Sequence, residues 1–241
     1  MRVWWALVWL VLAAGVLASC QKPAAPEKRE AAAQTPVPKG PEKLVVAIGD
    51  SLFAGYGLRP EQAYPVRLQA ALRARGINAR VVNAGVSGDT TADGLARLAF
   101  TLGSQPRTPD LVLISLGGND LLRGLPPEQA RANLDAMLAE LGRRKVPVVV
   151  MGMLAPPNMG KDYVRRFDAI YPALARAHGA GLVPFFLQAI IGKDALRLPD
   201  RVHPTAAGVD AMVGATVGVV AGAASDARVN GKSNGRETPR A

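Results

Sequence analysis

Leu44-Val45-Val46-Ala47-Ile48, running straight into Gly49-Asp50-Ser51-Leu52, is the stretch on which the reading of the fold turns. An uninterrupted aliphatic run ending in Gly-Asp-Ser predicts a strand buried on both faces that turns sharply into a helix. A turn of that kind holds one hydroxyl at the carboxyl edge of a sheet, where open α/β folds bind their ligands. Asp-Ser after a strand is also the composition of an ordinary helix cap, and the segment alone does not separate the two readings.

The same alternation continues downstream. Short β-rich runs at residues 44–48, 79–83, 111–116, 146–151 and 181–184 are separated by helical patterns at 65–75, 91–102, 127–144 and 162–178, and a helix over 205–220 follows the last run. Pro127 in a first-turn position with Glu128 beside it suits a helix N-terminus. Strands that are apolar throughout, alternating with helices, predict one α/β domain over residues 44–222, a parallel sheet of five strands covered on both faces. Right-handed crossovers place every strand's carboxyl end on one edge. Ser51 after the first strand, Gly88 after the second and Asn119 after the third are thereby expected to meet.

Composition limits what else the chain does. With 241 residues and 49% hydrophobic content it is long enough for one well-buried domain with appendages. A formal net charge of +10 would suit a polyanionic partner, yet Lys and Arg are scattered and aromatics are only 5%. Nucleic acid is therefore not expected as a partner, whereas anionic lipid headgroups fit the same excess.

Arg2 followed by an apolar segment over residues 3–17 has the layout of a signal peptide, too short and too early for a comfortable membrane span. It ends in Leu17-Ala18-Ser19-Cys20, which resembles the lipobox of bacterial lipoproteins, in which the cysteine becomes the first residue and carries lipid. Residues 1–19 are thus expected to be a signal peptide and Cys20, the single cysteine, the lipidation site. Residues 20–43 are Pro- and Ala-rich and read as a tether, and 223–241 as a disordered polar tail. Gln21 in place of Asp resembles the pattern sorted onward in enteric-type bacteria, so the periplasmic face of the outer membrane is the expected location.

Two histidines are present. His178 precedes Gly179 at a predicted helix end, where the macrodipole favours a cation, and reads as a helix-end residue. His203 lies in Pro199-Asp200-Arg201-Val202-His203-Pro204-Thr205, a loop with a carboxylate three residues upstream. On a tight turn that spacing brings Asp200 to Nδ1 and leaves Nε2 facing outward as a general base. A surface loop histidine before a helix-capping Thr205 would show the same sequence. Acyl transfer also needs donors where negative charge develops. Gly117-Gly118-Asn119-Asp120 lets a side-chain amide point into a cleft, and in Asn83-Ala84-Gly85-Val86-Ser87-Gly88-Asp89 nothing shields the Gly88 N–H; both segments are equally turn or cap chemistry.

Taken together and in order, Gly49-Asp50-Ser51-Leu52, Ser87-Gly88-Asp89, Gly117-Gly118-Asn119-Asp120 and Asp200-Arg201-Val202-His203-Pro204 resemble the SGNH hydrolase (GDSL esterase/lipase) family. Thr90-Thr91, Gly94-Leu95-Ala96-Arg97-Leu98, Leu121-Leu122-Arg123-Gly124 and Pro184-Phe185-Phe186 extend the likeness toward its bacterial arylesterase and thioesterase I/lysophospholipase branch. The resemblance implies a flavodoxin-like three-layer α/β/α domain with Ser51 as nucleophile, His203 as base and Asp200 orienting it. Ser51 N–H, Gly88 N–H and the Asn119 amide would form the oxyanion hole, with no metal or organic cofactor. It further implies a small-molecule ester, thioester or lysolipid as substrate, and places Leu154, Ala155, Pro156, Pro157 and Asn158 over the acyl site. That Ala-Pro-Pro-Asn run looks more like the arylesterase-type members than the thioesterase. A non-catalytic lipoprotein binding acyl chains or envelope components, and an acetylesterase acting on cell-wall sugars, are the competing expectations.

Overall fold

Strand β1 (Lys43–Gly49) is buried along its whole length, as an aliphatic run must be when helices cover both sides of a sheet. The computed structural model describes residues 36–230. The proposed signal peptide, Cys20 and the first part of the tether lie outside the described residues. Strand β1 is flanked by β2 (Ala79–Gly85) and β3 (Leu111–Ser115), and β4 (Val148–Met151) and β5 (Gly181–Val183) extend the sheet from β3. All pairings are parallel and the order is β2-β1-β3-β4-β5. The chain winds in opposite directions on either side of the β1/β3 boundary, the place where open sheets of this order leave a crevice. Gly49 stands opposite Gly85 on one side and Ser115 on the other, so the three carboxyl ends are level.

The connecting helices form the outer layers. One turn of helix, α1 (Ser51–Ala54), follows β1, then come α2 (Tyr64–Ala74), α3 (Thr91–Gly103), α4 (Gly118–Leu122) and α5 (Pro127–Arg143). Beyond β4 lie α6 (Lys161–Asp168), α7 (Ile170–His178) and finally α8 (Ala206–Asn230). Helices α2 and α8 contact each other, as do α3 with α5 and α5 with α7. Phe53, two residues past Ser51, stacks on Tyr64 at 5.3 Å between centroids and meets the edge of Phe186 at 5.6 Å. The Tyr64 hydroxyl shares a 2.6 Å hydrogen bond with Thr216, which carries the anchoring through to α8.

The parallel sheet and its two helical layers agree with the sequence reading, while several boundaries move for local reasons. Strand β4 begins at Val148, because Pro147 has no N–H to give the ladder. The single helix expected over 162–178 is two, since the ring of Pro172 conflicts with the carbonyl of Asp168, where α6 ends. Helix α8 continues past residue 222, the expected end of the domain, to Asn230. Ala221, Ala223 and Ala224 favour helix strongly, and Ala224 is buried in the core. This helix is long and apolar enough to cross a membrane by composition alone. Val209, Met212, Val213, Val217 and Val220, however, recur at helical spacing as a buried stripe, so its apolarity serves the core.

Candidate active site

Ser51 opens α1, and its placement follows from the residue before it. The Asp50 carboxylate caps the turn by accepting the Leu52 N–H at 3.0 Å, while the Asp50 N–H donates to the Ser115 carbonyl at 3.2 Å. The cap thus ties the serine-bearing turn to the end of β3. Helix α1 ends after one turn at Gly55 in the left-handed conformation. Ser51 lines the cleft together with Asp50, whose side chain is buried.

His203 reaches that hydroxyl from the far end of the chain. Its Nε2 lies 2.8 Å from Ser51 Oγ, and its Nδ1 lies 2.8 Å from Asp200 Oδ2. A carboxylate facing Nδ1 assigns the proton to that nitrogen, so neutral Nε2 accepts from the serine hydroxyl. Asp200 Oδ1 meanwhile accepts the backbone N–H groups of Val202 at 2.9 Å and His203 at 3.0 Å. Burial acts to raise the Asp200 carboxyl, but these hydrogen bonds from His203 and Val202 outweigh it and hold the group near 2. The turn that makes this possible passes through Arg201 at φ 59°, a left-handed conformation that a non-glycine residue adopts only under constraint. Leu198 and Thr205 close the loop by donating to the carbonyls of His203 (2.8 Å) and Leu196 (3.0 Å). The Tyr56 ring, 4.4 Å from the imidazole between centroids, supports its face.

The polar donors expected from the second and third strands lie at the same cleft. Gly88 sits at φ +90°, where an L side chain is strained, and its turn presents backbone rather than side chain to the opening. Asn119, in the first turn of α4, donates one Nδ2 hydrogen to the Asp89 carbonyl at 2.9 Å, and a second remains on the amide. Gly117, just before α4, makes room for Tyr171: at φ +105°, a Cβ there would lie 2.2 Å from the Tyr171 hydroxyl. The N–H of Ser51 belongs to a first helical turn, whose donors have no partner within the helix.

The cleft over these groups encloses about 640 Å³. Of the loop expected over the acyl site, Leu154, Ala155, Pro156 and Pro157 line the cleft, and Asn158 does not, because the 3₁₀ turn Pro157–Met159 leads the chain away after Pro157. The rest of the apolar wall is Leu52, Tyr56, Leu121, Leu122, Met153, Phe185, Leu187, Ile191 and Val202, with Asp50, Ser87, Gly118 and Arg201 also reaching the cleft. Several of these came from loops with no periodic pattern to mark them. Their one signal was an apolar residue in a turn, and Tyr56, Leu122, Leu154 and Ile191 indeed remain 53%, 67%, 40% and 47% exposed at the mouth. His178 takes no part: it closes α7, pairs with Asp135 of α5 at 2.6 Å and lies outside the cleft lining.

Asp50 carries a measurable consequence of its burial. Removal from water raises its carboxyl to about 6, against the lowering influence of the Leu52 N–H and of His203. An acid raised on folding binds a proton that the unfolded chain has released, so its contribution to stability is complete below about pH 4 and is lost as pH climbs through 6. Asp50→Asn retains an oxygen for the Leu52 N–H and does not titrate. Its stability relative to the parent is expected to improve by up to about 3 kcal/mol between pH 4 and 7, at about 1.4 kcal/mol per unit. Urea midpoints of both proteins across that range test this, and a difference independent of pH would contradict it.

Comparison with known proteins agrees with this arrangement. Residues 47–211 match the model of the GDSL-like lipase/acylhydrolase family. An arylesterase of Vibrio mimicus is 45% identical over 163 residues, covering 68% of this chain and 80% of that protein. The thioesterase 1/protease 1/lysophospholipase L1 of Escherichia coli K12 is 37% identical over 160 residues, 66% of this chain and 74% of that protein. Among solved structures, AlinE4, an SGNH-hydrolase family esterase, is 57% identical with a TM-score of 0.66, covering 77% of this chain and 98% of its own.

Proposed function

Since the chain belongs to the GDSL-like lipase/acylhydrolase family, we propose that Ser51, His203 and Asp200 carry out its ester hydrolysis through an acyl-enzyme. The protein is a serine esterase/thioesterase, a carboxylic ester hydrolase. The observation that carries the assignment of roles is the unbroken line of hydrogen bonds from Asp200 through His203 to Ser51, each 2.8 Å long, opening onto an apolar cleft. Ser51 Oγ attacks the carbonyl carbon as His203 Nε2 takes its proton, and the imidazolium formed is stabilised by Asp200. The negative charge on the former carbonyl oxygen is received by Ser51 N–H, Gly88 N–H and the free Nδ2 hydrogen of Asn119. His203 then passes the proton to the departing alcohol or thiol, and water, deprotonated by the same nitrogen, releases the acid and restores Ser51.

The apolar walls support an acyl chain longer than acetyl as the group transferred, from an aryl ester, thioester or lysolipid. Each methylene withdrawn from water contributes up to about 0.8 kcal/mol, so kcat/KM should rise about tenfold or more from p-nitrophenyl acetate to the octanoate. Measurements below the micelle threshold test this. A flat profile would remove the long-chain reading, and absence of turnover on every ester would remove the catalytic one. The lipobox-like segment ending in Cys20 further supports lipid attachment, and Gln21 in place of Asp supports a place at the periplasmic face of the outer membrane. Fractionation of cells expressing Cys20→Ser tests it: continued sedimentation of a processed protein with membranes would refute lipid anchoring.

A further inference from the structure

Arg97, two turns into α3, does not line the cleft, yet its guanidinium joins the two segments that border it. Nε donates to Asp89 Oδ2 at 2.6 Å, Nη2 to the Gly49 carbonyl at 3.0 Å and Nη1 to Thr101 Oγ1 at 3.5 Å. The side chains of Arg97 and Asp89 are only 21% and 11% exposed, so the pair is largely shielded from solvent and salt. Each partner has a neighbour that matters. Gly49 leads through Asp50 to the Ser51 N–H, and its carbonyl also receives the Val86 N–H at 2.9 Å. Asp89 follows Gly88 directly, and its carbonyl accepts the Asn119 amide at 2.9 Å.

All three donors assigned to the oxyanion therefore converge on one cation. Apart from Arg97, the Gly88 turn is closed by the Asp89 N–H, which donates to the Val86 carbonyl at 3.2 Å, while its tip is open to solvent: Val86 is 46% exposed, Ser87 is exposed, and the Arg123 guanidinium that reaches the Gly88 carbonyl at 2.7 Å comes from an exposed side chain. We infer that Arg97 is a positioning residue for the oxyanion hole: it fixes the spacing between the Ser51 and Gly88 peptides and, through Asp89, the aim of the Asn119 amide. The inference rests on the assignment of those three donors. Donors accelerate acyl transfer only if they stand in place before the charge forms, and a planar fork that bonds a carboxylate and a carbonyl at once sets such a distance as a lysine ammonium does not.

The test compares the parent protein with Arg97→Ala, Arg97→Lys, Asn119→Ala and the Arg97→Ala/Asn119→Ala double variant. The readouts are kcat and KM on p-nitrophenyl butyrate, affinity for a trifluoromethyl ketone that forms a tetrahedral oxyanion on serine, and thermal midpoint. For Arg97→Ala, kcat should fall about 10- to 100-fold with KM changed less than about threefold, and the ketone should weaken in step with kcat/KM. Arg97→Lys should recover the thermal midpoint but remain about tenfold low in kcat. The double variant should be no more than about threefold worse than Asn119→Ala, because both substitutions disable one device. Wild-type kcat in Arg97→Ala or Arg97→Lys, beside an impaired Asn119→Ala, would overturn the inference and leave the oxyanion assignment standing. So would losses that simply multiply in the double variant, which mark a structural role. Unimpaired Asn119→Ala would instead overturn the assignment beneath it. If Arg97→Ala does not fold, the kcat, KM and ketone affinity of Arg97→Lys decide alone.

Discussion

Ser51→Ala is expected to lower kcat on any ester the protein hydrolyses by about 10⁴-fold or more while leaving the fold intact. The expectation rests on how little else the hydroxyl does. Asp50, not Ser51, caps α1, and the turn is pinned by Phe53 against Tyr64 and Phe186, so loss of one oxygen at the first helical position leaves every anchoring contact in place. His203→Ala should be equally damaging, and the double variant hardly worse, because nucleophile and base act as a unit. His178→Ala, which breaks only the pair with Asp135, should keep kcat/KM within about twofold, the range of a substitution outside the reacting unit. Steady-state kinetics with circular dichroism on each variant provide the check. Retention of most activity in Ser51→Ala, with a serine-directed phosphonate labelling some other residue, would transfer the nucleophile's role elsewhere.

Asn119→Ala should reduce kcat about 10²- to 10³-fold with little change in KM, because its amide is assigned to charge that exists only in the transition state. In the resting site the amide already spends one hydrogen on the Asp89 carbonyl, which fixes its direction before substrate arrives. Removing it takes away a donor and also frees the Asp89 carbonyl. Asn119→Asp is a useful companion: it keeps the size but places a carboxylate, not a donor, beside the developing anion, and should be at least as inactive. If either substitution raised KM with kcat unchanged, Asn119 would be a ground-state contact and the oxyanion would have to be held by backbone alone.

The parts of this protein visible before folding are those whose physics is local. An aliphatic run is buried on both sides wherever it is placed in a parallel sheet, so β1 and β3 could be read directly. Prolines mark boundaries by their missing N–H, and the helix break before Pro172 was legible in principle, though the apolar pattern across it favoured one continuous helix. The Asp200–His203 contact spans three residues, which makes it a property of one turn. The place of Asn158 and the extent of α8 depend on geometry that composition does not carry: a Pro-Pro-Asn run does not disclose where its turn leads, and the small residues after 222 form helix where one of them, Ala224, reaches the core.

By itself, then, the sequence determined the strand-helix alternation, and it offered the acidic residue ahead of Ser51 as a cap and Asp200 as a partner for His203, since each depends on backbone preferences and side chains a few positions apart. Only the tertiary structure decided that Nε2 of His203 meets a hydroxyl 152 residues away, that loop residues from Tyr56 to Ile191 wall one apolar cleft, and that Arg97 joins Gly49 to Asp89. Those contacts depend on sheet order and register, which are settled jointly by every strand pairing and crossover, and no local stretch of chain holds that information.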